Sequence, residues 1–229
     1  MTDRGILFSG PMVRALLAGT KTQTRRLINP QPPVGARFAG IHYDGHEPDS
    51  FFFNSAPGPH KVRQRIADGD RLYVREAWRT GAAFDAVSPR DLPTSVHIAY
   101  EADDGRARLT GRFRQGMHMP RWASRITLTV TEVRVQRLQD ISEEDAIAEG
   151  IEQHLVGCAD GLERNLWFGV HQCGNDGPAQ AYQDLWESIN NPKGYCADDE
   201  PNGWEANPWV VAYSFTVAQH NIDQIGAPP

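Results

Sequence analysis

Cysteine is scarce in this chain of 229 residues, with one each at positions 158, 173 and 196. An odd number implies no disulfide framework. The opening Met1-Thr2-Asp3-Arg4-Gly5 carries no signal-peptide pattern, so the expected setting is cytoplasmic. His154, Cys158, His171 and Cys173 are metal-ligating types, but their spacings match no C-x2-C pair, so neither metal nor cofactor is expected. Long apolar runs are absent too, which excludes a membrane-spanning helix. Repeats and low-complexity tracts are missing. Lysine is the rarest cation, with only three among 23 Lys and Arg residues. The net charge of −6 argues against non-specific coating of nucleic acid.

What is present reads as an α+β chain rich in loops. The 21 glycines and 16 prolines suit one domain, residues 1–217, with insertions near 29–68, 79–94, 152–177 and 191–207. Residues 218–229 read as a flexible tail. An apolar run, Ile6-Leu7-Phe8, stops at Ser9-Gly10-Pro11, a helix start with proline at the first position. The helix should end at Gly19, because glycine enters the left-handed conformation cheaply. Strands are expected over 22–28, 71–78, 95–100, 126–135 and 208–217. Ser142 should cap a short acidic helix ending at Gly150, and 178–190 should form an amphipathic helix facing inward through Ala181, Leu185, Trp186 and Ile189. The triple Phe51-Phe52-Phe53 is expected to pack onto the core.

The charges are unevenly distributed. Eight arginines lie between Gly105 and Arg137 against one acid, Glu132, and a run of acids follows from Asp140 to Glu152. A basic face beside an acidic rim would suit a polyanion held in one place. On the strand around 71–78, Glu76 shares its face with Leu72, Val74 and Trp78. A carboxylate there must be paired or must line a cavity. Glu149 sits in the last turn of the acidic helix, where an acid opposes the helix dipole. Directly after the first helix comes Gly19-Thr20-Lys21-Thr22-Gln23-Thr24-Arg25-Arg26, the densest cluster of site chemistry in the chain.

That turn, with Gly69-Asp70-Arg71-Leu72-Tyr73-Val74 and the order of elements, resembles the ASCH superfamily, whose small β-barrel is related to the PUA RNA-binding domain. The stretches Met119-Pro120-Arg121-Trp122-Ala123-Ser124-Arg125 and Asn207-Pro208-Trp209-Val210 look like ASCH proteins of phages and prophages. The resemblance implies a cleft that binds RNA or a modified nucleoside. Thr22, Arg25, Arg26, Arg75, Glu76, Arg121, Trp122 and Arg125 are its expected contacts, with arginines meeting phosphate and Trp122 stacking a base. One branch of the superfamily removes the acetyl group from N4-acetylcytidine with a lysine, a threonine and a glutamate. These fall on Lys21, Thr24 and Glu149. Chemically, Thr24 would be the nucleophile, a neutral Lys21 beside Arg25 and Arg26 would take its proton, and Glu149 would orient the pair. A third reading is a phage accessory protein that works through protein contacts.

Overall fold

A computed structural model describes residues 3–44, 47–56, 58–103, 110–157, 163–168, 174–190 and 202–225. In chain order the first half holds β1 (Asp3–Leu7), α1 (Gly10–Ala18), β2 (Gln23–Leu27), β3 (Arg37–Asp44), β4 (Glu47–Asn54), β5 (His60–Arg63), β6 (Arg71–Arg75), β7 (Trp78–Arg79) and β8 (Ala99–Tyr100). Then follow β9 (Thr127–Arg137), α2 (Glu143–Ala148), β10 (Glu152–Gly157), β11 (Glu163–Phe168), α3 (Pro178–Asn190) and β12 (Trp209–Ala218). The architecture is α+β, mostly strand, and no described sheet closes on itself. No helix among the described residues is long and apolar enough to cross a membrane.

Two compact units emerge, one formed by Met1–Gly19, Gly69–Thr131 and Phe215–Pro229, the other by Thr20–Asp68 and Glu132–Ser214. In the first, β1 runs parallel to β6, and β6 pairs antiparallel with the start of β9. The turn between 68 and 71 holds through Gly69 N–H to the Val130 carbonyl (2.8 Å) and Val130 N–H to that of Asp70 (2.9 Å). α1 starts at Ser9 with proline in its first turn and ends at Gly19, whose φ of +78° is the left-handed conformation read from the sequence. Leu72, Val74, Ile126 and Leu128 are buried, and Trp78, Leu92, Met119 and Ala123 form a second apolar cluster.

The stretch expected to fray is held as far as Ile225. Ile222 is buried. Asn221 Nδ2 donates to the carbonyls of Arg121 (2.9 Å), Trp122 (3.2 Å) and Ser124 (2.7 Å), and Arg71 Nη1 donates to that of Ile225 (3.2 Å). Three short hydrogen bonds from one amide fix a chain end that composition alone marks as loose.

In the second unit, β2 pairs antiparallel with the first part of β12. Residues expected as a partly ordered insertion, 29–68, instead contain a three-stranded meander, β3–β4–β5. Its core is the phenylalanine triple. Phe51 and Phe53 are buried, and Phe53 meets Phe38 and Trp209 edge-on at centroid distances of 5.5 and 5.1 Å. Edge-to-face rings of this kind add to area burial. Within 152–177, β10 and β11 form an antiparallel hairpin. On α3, Ala181, Leu185 and Trp186 are buried as expected, but Ile189 is 48% exposed. Expected strand 95–100 contracts to Ala99–Tyr100, and 71–78 breaks after Arg75.

Candidate active site

Lysine 21 follows the α1 stop and precedes β2. The turn docks onto the C-terminal end of α2, where Thr22 N–H donates to the Ala148 carbonyl at 2.8 Å. Beside it, Lys21 Nζ donates to the Glu149 carbonyl at 2.8 Å and to Glu149 Oε2 at 2.7 Å. Glu149 closes α2 as its C-terminal cap, so a cation lies where the last helical carbonyls are otherwise unpaired. This resolves the oddity of an acid in that turn: the lysine reads both its side chain and its backbone. At the other end of α2, Ser142 accepts from Asp145 N–H at 3.1 Å, the cap that its sequence announced.

The pair is dry. Lys21 has no solvent-accessible surface (0%) and Glu149 is 4% exposed. Burial pulls the Lys21 ammonium below the ordinary lysine range; Glu149 opposes this, and the positive fields of Arg26 and Arg25 add to it. The remaining Glu149 oxygen, Oε1, accepts from Arg25 Nη1 at 3.1 Å. Arg25 also donates to Asp145 Oδ2 (2.6 Å) and to Gln23 Oε1 (2.5 Å), and its guanidinium lies 5.7 Å from the centre of the Tyr182 ring. Asp145 in turn accepts from Arg134 (2.7 Å) and Gln23 (3.1 Å). One ionic chain therefore runs Lys21–Glu149–Arg25–Asp145–Arg134. Arg25 is committed to it, with no exposed side-chain surface; expected to meet phosphate, it instead holds Glu149 in place.

Strand geometry sorts the other expected residues. Gln23 and Arg25 share one face of β2 and both reach Asp145, so Thr24 and Arg26 take the opposite face. Thr24 is buried opposite Tyr213 of β12, whereas Thr22 is exposed. Lys21 and Glu149 thus meet directly, and Thr24 lies across β2 from Arg25. Arg26 is half-buried, within the fields of Glu149, Tyr182 and Tyr213. Tyr182 was not legible as a site residue. Its place on the apolar face of α3 reads as core, yet burial and nearby Glu149 push its phenol well above the ordinary tyrosine range.

The remaining expected contacts fall in the first unit and are engaged internally. Arg125 makes a bidentate pair with buried Glu76 (2.9 and 3.0 Å), a second with Asp103 (2.7 and 3.0 Å), and stacks 3.9 Å above the Tyr100 ring. Of the two alternatives its sequence position left open, Glu76 takes the paired one. Arg121 bridges Asp3 and Asp223, each at 2.7 Å. Arg75 donates to the carbonyls of Met117 and Met119. Trp122 packs against the Trp78–Met119 cluster. Of the arginines of the basic segment, 121, 125 and 134 carry ion pairs, and Arg106 and Arg108 lie outside the described residues. The same holds for Cys158, His171, Cys173 and Cys196, so the metal question falls there. Among the described residues no cluster of three His, Cys, Asp or Glu could hold a metal ion.

Compared with family models, with curated proteins and with solved structures, the chain matches none. The functional reading therefore rests on the chemistry of the site. Among the described residues, arginines 25, 71, 79, 121, 125 and 134 form ion pairs, and none of them can lose its proton in water. Beside the equally buried Arg25, the cation that meets both the side chain and the carbonyl of the helix-capping Glu149 is a lysine. A depressed lysine beside a carboxylate is able to accept and return a proton.

Proposed function

We propose that the chain is a hydrolase of the ASCH type, with a PUA-related barrel, acting on the amide of an N4-acylated cytosine or cytidine. The observation that carries this reading is the buried, depressed Lys21 held by Glu149 at 2.7 Å. Lys21, as the free amine, takes a proton from the attacking hydroxyl. The oxygen adds to the acyl carbon, the carbon–nitrogen bond breaks, and Lys21 returns the proton to the departing amine. Water is the nucleophile that fits the described site, since Thr24 lies across β2 from Arg25, and the acid leaves in one round; a Thr24 nucleophile would instead pass through an acyl ester that a water then cleaves. Glu149 aims Lys21, and Arg25 holds Glu149. Binding of RNA or a modified nucleoside is the first step of the same reading.

The test is hydrolysis of N4-acetylcytidine by wild type, Lys21→Ala, Thr24→Ala and Thr24→Ser, with calorimetric binding measured alongside. Turnover lost in Lys21→Ala supports the reading. Loss in Thr24→Ala with partial recovery in Thr24→Ser assigns the nucleophile, whereas full activity in both assigns it to water. Binding without turnover by wild type removes the enzyme and leaves the nucleoside-binding cleft.

A further inference from the structure

Arginine 114 breaks the pattern set by the other internal arginines. It is 4% exposed and faces Trp78 across a backbone bridge, with Trp78 N–H to the Arg114 carbonyl at 3.0 Å and the reverse bond at 2.9 Å. Its guanidinium lies 5.3 Å from the Trp78 ring centre. Nη2 donates to the carbonyls of Phe84 (2.7 Å) and Val87 (3.1 Å). Nε and Nη1 are buried and have no hydrogen-bond partner among the described residues. Among the described residues no carboxylate pairs with this guanidinium. Asp85 acts on it only through its field, since its Oδ1 accepts the backbone N–H of Arg112 at 2.7 Å.

Two further orphan groups belong to the same short stretch. Trp78 Nε1 and Thr80 Oγ1 are both buried without a partner, and both residues are fully covered. Trp78 and Thr80 are two apart on an extended segment and so share a face. The chain that carries Arg114 crosses there too: Gly111 lies so close that a Cβ would stand 2.2 Å from the Thr80 carbonyl. Arg112 adds a positive field on Arg114. Four unsatisfied polar atoms on three neighbouring residues, with a buried cation among them, are unusual, because native proteins satisfy almost all such groups. A guanidinium without a counter-charge in low dielectric is costly, and an anion removes that cost.

We propose that Arg114, Trp78 and Thr80 form a binding site for a single oxyanion group, a phosphate or a carboxylate. Arg114 would give it one charge-assisted bond, from Nε or from Nη1, since these two lie on different edges of the guanidinium and Nη2 is taken by the Phe84 and Val87 carbonyls. The Thr80 hydroxyl and the Trp78 indole N–H are further donors. This site is independent of the Lys21–Glu149 pair and of any activity there.

Titration of the full chain with inorganic phosphate and, separately, with acetate tests it, at ionic strength held constant with chloride. The readouts are the arginine Nε–H and tryptophan Nε1–H signals in ¹⁵N spectra, together with the thermal unfolding midpoint. Saturable shifts of the Arg114 and Trp78 signals are expected, with a rise in midpoint. Saturation by phosphate alone assigns a phosphate-bearing ligand, and by acetate alone a carboxylate. Thr80→Val, which keeps the shape and removes one donor, should weaken binding about five-fold, the equivalent of one lost hydrogen bond. Arg114→Gln should abolish saturation. If wild type shows no saturable response to either anion, or Thr80→Val and Arg114→Gln both bind like wild type, the proposal is overturned.

Discussion

Each compact unit holds a buried glutamate in an ion pair, Glu76 with Arg125 in the first and Glu149 with Lys21 and Arg25 in the second, and the cations differ. In the first, Glu76 meets Arg125, which also grips Asp103 and stacks on Tyr100. Those contacts drive the guanidinium further above its already high ordinary range, so the charge is permanent; burial raises the Glu76 carboxyl in spite of it. In the second, Glu149 meets Lys21, whose ammonium burial pulls down. Carboxylates of similar burial thus meet an arginine whose pKa is pushed up and a lysine whose pKa is pulled down. Under the proposed function, the choice of cation rather than the presence of an ion pair separates the two.

The largest effect should come from making the second pair resemble the first. Lys21→Arg keeps the charge and loses the exchangeable proton, and Lys21→Met loses both. Each should lower kcat on N4-acetylcytidine by about a thousand-fold, the usual scale of a lost general base. Retained activity in Lys21→Arg would erase the distinction between the pairs.

Breaking either pair from the acid side sharpens the contrast in stability. Glu149→Gln should cost about 3 kcal/mol near neutrality, since it leaves the buried Lys21 without its carboxylate, and Glu76→Gln about 1.5 kcal/mol, since Arg125 keeps its pair with Asp103. Their pH dependence should differ. Lys21 has a folded pKa below its unfolded one, so between those values the unfolded chain binds the extra proton and stability rises with pH. The Glu149→Gln deficit should therefore shrink toward alkaline pH, where Lys21 is neutral in any case. Above neutrality the Glu76→Gln deficit should stay level, because Arg125 stays charged and Glu76 is already ionised. Glu76 has a folded pKa above its unfolded one, so its own contribution is complete below the ordinary carboxylate range and fades as pH rises through the raised value. Denaturant midpoints across pH for the three proteins test both signs.

A smaller effect is expected at Arg25. Arg25→Gln removes a charged bond to Glu149 and should cost about 2 kcal/mol. It should also move the Lys21 midpoint upward, since a positive neighbour is gone and Glu149 is left to the lysine alone. An unchanged midpoint would mean that Arg25 does not tune the pair.

Much of this frame was legible in residue types. Gly19, Pro11 and Ser142 punctuated their helices because their chemistry is local: a left-handed residue, a missing N–H, a short hydroxyl. Glu76 was legible because strand alternation placed it among apolar neighbours. The meander in 37–63 was hidden by prolines and glycines that mark turns between strands as readily as loops. Tyr182 was hidden because an aromatic on the inner face of a helix looks the same whether it meets leucines or an ionic chain. The engagement of Arg25 and Arg125 depended on partners more than 100 and about 50 residues away along the chain. Spacing within a motif does not report such partners.

The helix starts give the smallest test of the comparison. Ser142 accepts a cap bond from Asp145, whereas Ser9 makes no side-chain cap bond. Ser142→Ala should cost about 1 kcal/mol and Ser9→Ala only a few tenths. Equal losses would show that the α2 cap adds nothing to the element that carries Glu149.

The most direct measurement is the titration of Lys21 itself. The chain has three lysines, at 21, 61 and 193, so ¹³Cε-lysine labelling yields three signals that Lys21→Arg assigns by subtraction. The expected result is a Lys21 midpoint clearly below those of the other two. A Lys21 midpoint at or above theirs would make the pair a static ion bridge like Glu76–Arg125 and contradict its role as a proton acceptor.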